Sequence, residues 1–297
     1  MKKLLSTLII SLAAFSAQAD TIKLVVGYAP GGGADKVARL LQQIIQPTTA
    51  KNVVVEFKLG AGSEISTAFV AQYSGDDTVL LLQTAAMASH TTNPAYDITK
   101  DLIPVAYIGA NPFILVANSS YPHKTVDAIK NLPPGVKLNI GSGGIGTLTY
   151  RFGVGLGELA PKNSVVVPFK GGAEILTPLL NNEINMAFMS PALVKQHITT
   201  GKLVPVAVTS EQRLADFGNV PTIAELGLKR QGAGTWYMLF SNKTPKTLEI
   251  DAIRAALVKA LQQPNIVQAL RDVDAYPDPK KTLQGSAILA EEIRHAK

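Results

Sequence analysis

Residues 21–45 read TIKLVVGYAPGGGADKVARLLQQII and combine an apolar run, a glycine-rich turn and an amphipathic segment. The β-branched run Thr21–Gly27 predicts a buried strand. After three consecutive glycines, apolar residues recur at helical spacing, which predicts a helix over Ala34–Ile45 with Val37 and Leu41 on one face. A strand followed directly by a helix is the first half of a βαβ unit.

The same alternation continues along the chain and then restarts. Further strands are predicted at Asn52–Phe57, Thr78–Leu82, Val105–Ile108, Phe113–Asn118, Lys137–Ile140, Val165–Phe169, Ile184–Met189, Leu203–Val208 and Trp236–Phe240. Further helices are predicted at Glu64–Tyr73, Thr147–Leu159, Glu174–Leu180, Ala192–Thr199, Thr247–Gln262 and Leu283–His295. Two successive βα series predict an α/β protein with two lobes, each a mostly parallel sheet flanked by helices.

The last two helices have no strands of their own, so we expect them to pack on the first lobe. The chain would then cross between the lobes near residues 104–112 and 241–246, and a double crossing permits hinge closure. This predicts a second lobe of residues 106–241, with a ligand cleft between the lobes. The first lobe would contain residues 20–105 and 242–297. Trp236, the only tryptophan, is expected in the core or the hinge, with cleft lining as the alternative.

Composition excludes several classes of protein and site. Among 297 residues 46% are hydrophobic and 17% are charged, which excludes a disordered chain. The chain has no cysteine, so disulfides, thiolate nucleophiles and cysteine-ligated metals are excluded. Its four histidines are far apart, which indicates no metal site. The formal charge of +6 comes from dispersed lysines and arginines, a pattern that favours an anionic small molecule over nucleic acid.

The first nineteen residues have the pattern of a secretory signal peptide. The cationic start Met1-Lys2-Lys3 precedes the apolar stretch Leu4–Phe15 and the small-residue box Ala17-Gln18-Ala19. A membrane anchor is the alternative, but the apolar run is shorter than the roughly 20 residues that span a bilayer. We therefore expect cleavage after Ala19 and a periplasmic protein.

The turn Gly27-Tyr28-Ala29-Pro30-Gly31-Gly32-Gly33 lies between the first strand and the first helix. Its glycines would leave main-chain amides open at the positive end of the helix, where an anion can bind. The alternative is an ordinary flexible turn. A Walker A loop is excluded because Gly33 stands where that motif has lysine. Within the helix, Asp35 and Arg39 are spaced for an ion pair.

A second glycine turn, Gly141-Ser142-Gly143-Gly144-Ile145-Gly146-Thr147, also joins a strand to a helix. It spells G-x-G-x-x-G, but the strand Val165–Phe169 lacks the acidic residue that would hold a ribose, so a dinucleotide is not favoured. The hydroxyls of Ser142, Thr147 and Thr149 beside open amides would suit a carboxylate. A nucleophile elbow is excluded because Ile140 stands where glycine is required.

Two further turns supply candidate ligand contacts. Lys170, before Gly171-Gly172, would pair with a second anionic group of the ligand or would be solvated. Ser190, before Pro191, has the position of a helix cap and can contact a ligand as well.

Ordered motifs along the whole mature chain resemble the substrate-binding proteins of tripartite tricarboxylate transporters, the Bug family. The opening Pro30-Gly31-Gly32-Gly33-Ala34-Asp35 with Ala38-Arg39 is similar to the P-G-G-x-x-D-x-x-A-R start of that family. Seven further motifs follow in the same order: Gly60-Ala61-Gly62, Asn93-Pro94, Gly141-Ser142-x-Gly144-x-Gly146-Thr147, Pro168-Phe169-Lys170-Gly171-Gly172-Ala173, Gly201-Lys202-Leu203, Ala207-Val208-Thr209-Ser210 and Val220-Pro221-Thr222. The chain departs from the family at Tyr150-Arg151, where His and Leu are frequent, which leaves the contacts of the distal part of the ligand open.

The resemblance implies a type II periplasmic binding protein that closes on a small carboxylate and delivers it to inner-membrane transporter subunits. It implies that the first glycine turn and the Ser142–Thr147 turn clamp one carboxylate, partly through ordered waters. We expect a monomer without cofactor, metal or catalysis. The complete candidate ligand-binding set is Tyr28, Ala29, Pro30, Gly31, Gly32, Gly33, Ala86, Ser142, Gly144, Thr147, Lys170 and Ser190.

Two alternatives remain at this point. A ligand-loaded partner of a sensor kinase would share the fold and differ in its membrane partner. A secreted hydrolase would use Ser142 or Ser190, but no histidine or acid is placed near either serine by the sequence.

Overall fold

The computed structural model describes residues 21–90, 93, 95–145, 147–160, 162–228, 235–244 and 246–296. The predicted signal peptide lies outside this range. The strands are β1 Thr21–Val26, β2 Asn52–Phe57, β3 Thr78–Thr84, β4 Leu102–Ala110, β5 Ile114–Asn118, β6 Leu138–Ser142, β7 Ser164–Pro168, β8 Met186–Met189, β9 Leu203–Val208 and β10 Trp236–Asn242. The α-helices are α1 Gly33–Thr49, α2 Glu64–Ala71, α3 Val126–Lys130, α4 Leu148–Gly157, α5 Gly172–Leu180, α6 Pro191–Thr199, α7 Thr247–Ala260, α8 Pro264–Arg271 and α9 Gly285–Ala296.

Within the described residues the strands form two five-stranded sheets with matching topology. The order is β2-β1-β3-β10-β4 in the first sheet and β7-β6-β8-β5-β9 in the second. β1 runs parallel to β2 and β3, whereas β10 runs antiparallel to β3 and β4. The second sheet repeats this arrangement with β6 parallel to its neighbours and β5 antiparallel. The prediction of two mostly parallel α/β sheets is confirmed, with one reversed strand in each.

The position of β10 corrects the predicted lobe boundaries. The sequence placed Trp236–Phe240 in the second lobe, but β10 pairs with β3 and β4 in the first sheet. The chain has therefore already returned before residue 236, not near 241–246. The other predicted boundary, at residue 105, falls inside β4, and the first crossing lies between Ala110 and Ile114. The sequence of a short apolar strand does not indicate which sheet the strand joins. The position of β10 along the chain therefore did not predict its lobe.

Helices cover both faces of each sheet. On one face of the first sheet, Val37 and Leu41 of α1 pack with Ile253 of α7 and Leu270 of α8. The opposite face is covered by α2 and α9, with Leu289 of α9 in its core. In the second sheet α4 packs on one face and α5 with α6 on the other. The return of the C-terminal helices to the first lobe is confirmed, whereas α3 and α8 were not predicted.

Candidate functional site

The first glycine turn lies at the carboxyl end of β1, as predicted, and leads into α1. Gly27 is buried, and a Cβ atom at that position would lie 2.3 Å from Ser66 Oγ, so no side chain fits. Gly31 has φ of +83°, a left-handed conformation that favours glycine. Ala29 to Gly33 are exposed. The turn therefore presents the main chain of three glycines and the small side chains of Ala29 and Pro30 to solvent.

Two of its amides are already engaged. The Gly31 amide donates to Asp35 Oδ2 at 2.7 Å, and the Gly32 amide donates to the Ala29 carbonyl at 3.3 Å. Asp35 also pairs with Arg39 at 2.8 Å, which confirms the predicted ion pair. This corrects the expectation that all three glycine amides are open. In the described part of the chain no acceptor faces the amide of Gly33 or of Ala34, which begin α1.

The Tyr28 hydroxyl belongs to a polar network behind the turn. It lies 2.7 Å from Thr84 Oγ1 and donates to Gln83 Oε1 at 3.1 Å, while Gln83 Nε2 donates to Thr67 Oγ1 at 2.7 Å. Burial raises the pKa of Tyr28, so the phenol stays neutral. Ala86 joins the same cluster because its amide donates to Thr84 Oγ1 at 3.3 Å. The network anchors the turn to the end of β3.

The glycine–serine turn of the second lobe uses its polar groups internally. Ser142 is fully buried, and its hydroxyl donates to the Val167 carbonyl at 3.4 Å. This corrects the prediction that the Ser142 hydroxyl faces a ligand. The Gly143 amide donates to Thr149 Oγ1 at 3.0 Å. Thr147 caps α4 by accepting from the Tyr150 amide at 3.2 Å, although the residue is exposed.

Three turns of the second lobe adjoin at the carboxyl ends of β6, β7 and β8. A Cβ atom on Gly143 would lie 3.8 Å from the Gly172 amide nitrogen, and one on Gly172 would lie 3.5 Å from Leu193 Cδ1. Gly144 has φ of +121°. Lys170 is exposed, and its amide donates to Glu174 Oε2 at 3.2 Å. The structure therefore places the turns that contain Gly144, Lys170 and Ser190 next to one another in this lobe.

Asp274 links the lobes. It follows α8 in the first lobe, and its Oδ2 accepts a hydrogen bond from the Ser190 hydroxyl in the second. Its Oδ1 accepts from the Ala192 amide at 2.8 Å. Burial raises the pKa of Asp274, while these two donors and the charge of Lys36 act in the opposite direction. The Ser190 hydroxyl is therefore engaged by a carboxylate of the protein itself.

Tyr237 connects this contact to the first glycine turn. Its hydroxyl lies 2.7 Å from the position of a Cβ atom on Gly33, and the Val273 carbonyl lies 3.9 Å from the same point. Burial and the nearby negative charge of Asp274 raise the Tyr237 pKa. The start of α1 and the start of α6 thus approach the same Tyr237–Asp274 region. Sequence reasoning missed both residues, because neither belongs to a motif.

A wide cavity lies elsewhere. It has a volume of about 880 Å³ and is bounded by residues 209–215 of the second lobe and 271–292 of the first, with Tyr107 and Trp236 in its lining. None of the predicted ligand-binding residues lines it. Its wall contains both acidic and basic side chains, and Lys281 pairs with Glu211 at 2.5 Å. The size of a cavity does not make it select an anion, whereas open main-chain amides at a helix N-terminus do favour one. The helix N-termini are therefore the candidate carboxylate site.

The described residues contain no group of three or more histidine or acidic side chains arranged to hold a metal ion. The same part of the chain has no helix with the length and apolar character needed to span a bilayer. Trp236 is buried, and its indole Nε1 donates to Glu292 Oε1 at 2.9 Å, which confirms a core position.

Comparison with known proteins agrees with this architecture. Residues 37–297 match the tripartite tricarboxylate transporter family receptor. Protein BugT of Bordetella pertussis is 29% identical over 93% of this chain and 87% of its own length. A TctC solute-binding protein from Polaromonas has a TM-score of 0.77 at 25% identity, covering 95% of this chain and 96% of its own. MatC from Rhodopseudomonas palustris, solved with bound malate, has a TM-score of 0.71 at 26% identity, covering 93% and 97%. The two-lobed fold, the ordered glycine motifs and the family match together show that the chain belongs to the tripartite tricarboxylate transporter receptor family of periplasmic solute-binding proteins.

Proposed function

We propose that this protein captures a small organic carboxylate between its lobes and delivers it to a tripartite tricarboxylate-type transporter. The observation that carries the proposal is the start of α1, where the Gly33 and Ala34 amides have no acceptor within the described chain. Gly33 lies beside Tyr237 and Val273, next to Asp274, which contacts the second lobe. An anion at a helix N-terminus gains about 0.3–1 kcal/mol when exposed and up to about 2 kcal/mol when partly buried. Each charge-assisted hydrogen bond adds about 1.5–3 kcal/mol.

The second lobe would complete the site through Gly144, Thr147 and Lys170. Gly144 keeps the turn free of a side chain, and the Lys170 ammonium is exposed at the end of β7, where it can meet a second anionic group. Malate, which occupies MatC, is therefore the first compound to test. Tyr28 and Ser142 act by shaping the turns, because their hydroxyls already have partners inside the protein.

Calorimetric titration with malate, other mono-, di- and tricarboxylates, and the corresponding neutral amides tests the charge requirement. We expect binding of a carboxylate and none of its amide. Gly32→Val places a side chain on the exposed turn at φ of −75°, with its Cβ atom 3.3 Å from the Ala29 carbonyl oxygen, so we expect weaker binding with a modest loss of stability. Ala255→Leu, an exposed substitution on α7, is the matched control. Unchanged affinity in Gly32→Val, or equal binding of the amides, would contradict the proposal.

Export and delivery have separate tests. Mature protein isolated from the periplasm is expected to begin at Asp20, and an N-terminus at Met1 would exclude the cleavage proposed here. Cross-linking in the cell envelope is expected to recover membrane subunits of a tripartite transporter. Recovery of a sensor kinase instead would favour the alternative partner.

A further inference from the structure

Asp274 is held in a backbone conformation that few residues adopt. It has φ of +61°, a left-handed value that aspartate tolerates better than most side chains. Its amide donates to the Arg271 carbonyl at 3.0 Å, and the next amide, of Ala275, donates to the Leu270 carbonyl at 2.9 Å. Leu270 and Ala275 are both fully buried in the core of the first lobe. The first lobe thus fixes the backbone from which this carboxylate projects.

The carboxylate occupies the start of α6 in the other lobe. Pro191 is the first helical residue and has no N–H, so the Ala192 amide is the first main-chain donor of that helix. Asp274 Oδ1 takes that donor at 2.8 Å, and Oδ2 takes the Ser190 hydroxyl. The N-terminus of α6, which the sequence predicts as a candidate ligand contact, therefore binds a carboxylate of the first lobe.

The same segment adjoins the hinge. The Tyr276 amide donates to the Ala110 carbonyl at 2.7 Å, and the Ala110 amide donates to the Tyr276 carbonyl at 2.8 Å. Ala110 ends β4, immediately before the chain crosses to β5. Gly109 permits this approach, because a Cβ atom there would lie 2.7 Å from the Tyr276 carbonyl carbon. One short segment thus joins the hinge to α6, and its Val273 carbonyl lies near Gly33 at the start of α1.

We propose that Asp274 is a positioning residue for ligand binding. Its two hydrogen bonds to Ser190 and Ala192 tether α6 to the first lobe beside the hinge. The tether limits the spacings that the two lobes adopt, so that the Gly33 amide and the second-lobe turns meet the same ligand. The effect on affinity rests on the proposed carboxylate-binding function, whereas the effect on lobe spacing does not. The free-energy cost of ordering the lobes on ligand binding is smaller when the lobes are already held near the binding arrangement.

Distance measurement between spin labels tests the tether directly. The chain has no cysteine, so Lys259→Cys on α7 and Glu158→Cys after α4 label one exposed position in each lobe. Without ligand, Asp274→Ala is expected to lengthen or broaden the distance distribution. Asp274→Asn keeps an acceptor for Ala192 and gains a donor for Ser190, so it is expected to restore the narrower distribution. Asp272→Ala, an exposed neighbour, is the matched control and is expected to change nothing.

Titration with malate measures the consequence for binding. We expect Asp274→Ala to weaken affinity about tenfold, within the usual range of coupling between sites, while Asp274→Asn stays within about threefold. If the unsubstituted protein does not bind malate, malate fails as the ligand and the distance measurement still decides the tether. An unchanged distance distribution in Asp274→Ala overturns the proposal. If that variant does not fold, Ser190→Ala takes its place, with a smaller shift expected and no shift overturning the proposal.

Discussion

Asp35 is expected to hold the first glycine turn in the shape that presents the start of α1. Asp35 is the third residue of α1, and its carboxylate accepts a hydrogen bond from the Gly31 amide at 2.7 Å. The contact is similar to a capping box, although it reaches the residue before the N-cap Gly32. Asp35 is only 5% exposed, so the bond is shielded from water. A hydrogen bond to a charged group contributes about 1.5–3 kcal/mol, and an acid in the first turn of a helix adds about 0.3–1 kcal/mol.

Asp35→Ala is therefore expected to lower the free energy of unfolding by about 2–4 kcal/mol. Asp35→Asn keeps an oxygen acceptor but not the charge, so its cost is expected to be about half as large. Arg39→Ala removes only the ion-pair partner. Because the Arg39 side chain is 56% exposed, that substitution is expected to cost about 0–1 kcal/mol.

Urea unfolding followed by circular dichroism measures all three variants, and equal slopes would show that they unfold the same surface. The free Gly31 amide in Asp35→Ala is also expected to exchange its hydrogen faster than in the unsubstituted protein. The reasoning is refuted if Arg39→Ala costs as much as Asp35→Ala, because the ion pair and not the amide contact would then stabilise the turn. It is equally refuted if Asp35→Ala costs less than about 0.5 kcal/mol, the scatter of ordinary surface substitutions.

Two further predictions concern an exposed pair and the buried tryptophan. Arg213 and the Thr222 amide hold the pKa of Glu225 at about 2, below its ordinary 4.5, so the stability this pair adds is present above pH 4.5 and is lost as pH falls through 2. Carboxyl titration by NMR should show that midpoint, and Arg213→Ala should raise it toward 4.5. Trp236→Phe removes the indole donor to buried Glu292 and is expected to cost about 1–3 kcal/mol in thermal unfolding. Trp236→Tyr, which also lacks the indole N–H, should cost a similar amount, and no loss in either would show that the hydrogen bond does not stabilise the fold.

Local patterns predicted most of the secondary structure. The limits of β2 and β9 agree with the sequence prediction residue for residue, and α1 begins one residue before its predicted start. The two strands are short runs rich in valine, and α1 follows three glycines with apolar residues at helical spacing, so neighbouring residues determine them. Helix α8 is not predicted from the sequence, because its eight residues follow α7 after a short turn.

The candidate site was predicted only in part. The glycine turns, the Asp35–Arg39 pair and the capping position of Thr147 follow from spacing along the chain. Spacing along the chain does not show whether a hydrogen-bond donor is open or engaged, because the acceptor is often a carbonyl on another strand. The Ser142 hydroxyl, bonded to the Val167 carbonyl twenty-five residues away, is such a case. Its burial could not be deduced from its own motif.

The amino-acid sequence by itself determined the α/β class, the two βα series, the glycine turns at strand ends and the family. Each of these depends on residue types and their spacing along the chain, either within one short motif or in the order in which the motifs follow one another. Only the tertiary structure decided that β10 belongs to the first sheet and that Asp274 reaches the start of α6. The physical reason is that strand pairing and hydrogen bonding between lobes depend on which groups meet after the chain has crossed twice. Segments far apart in sequence meet there, and no local pattern records their partners.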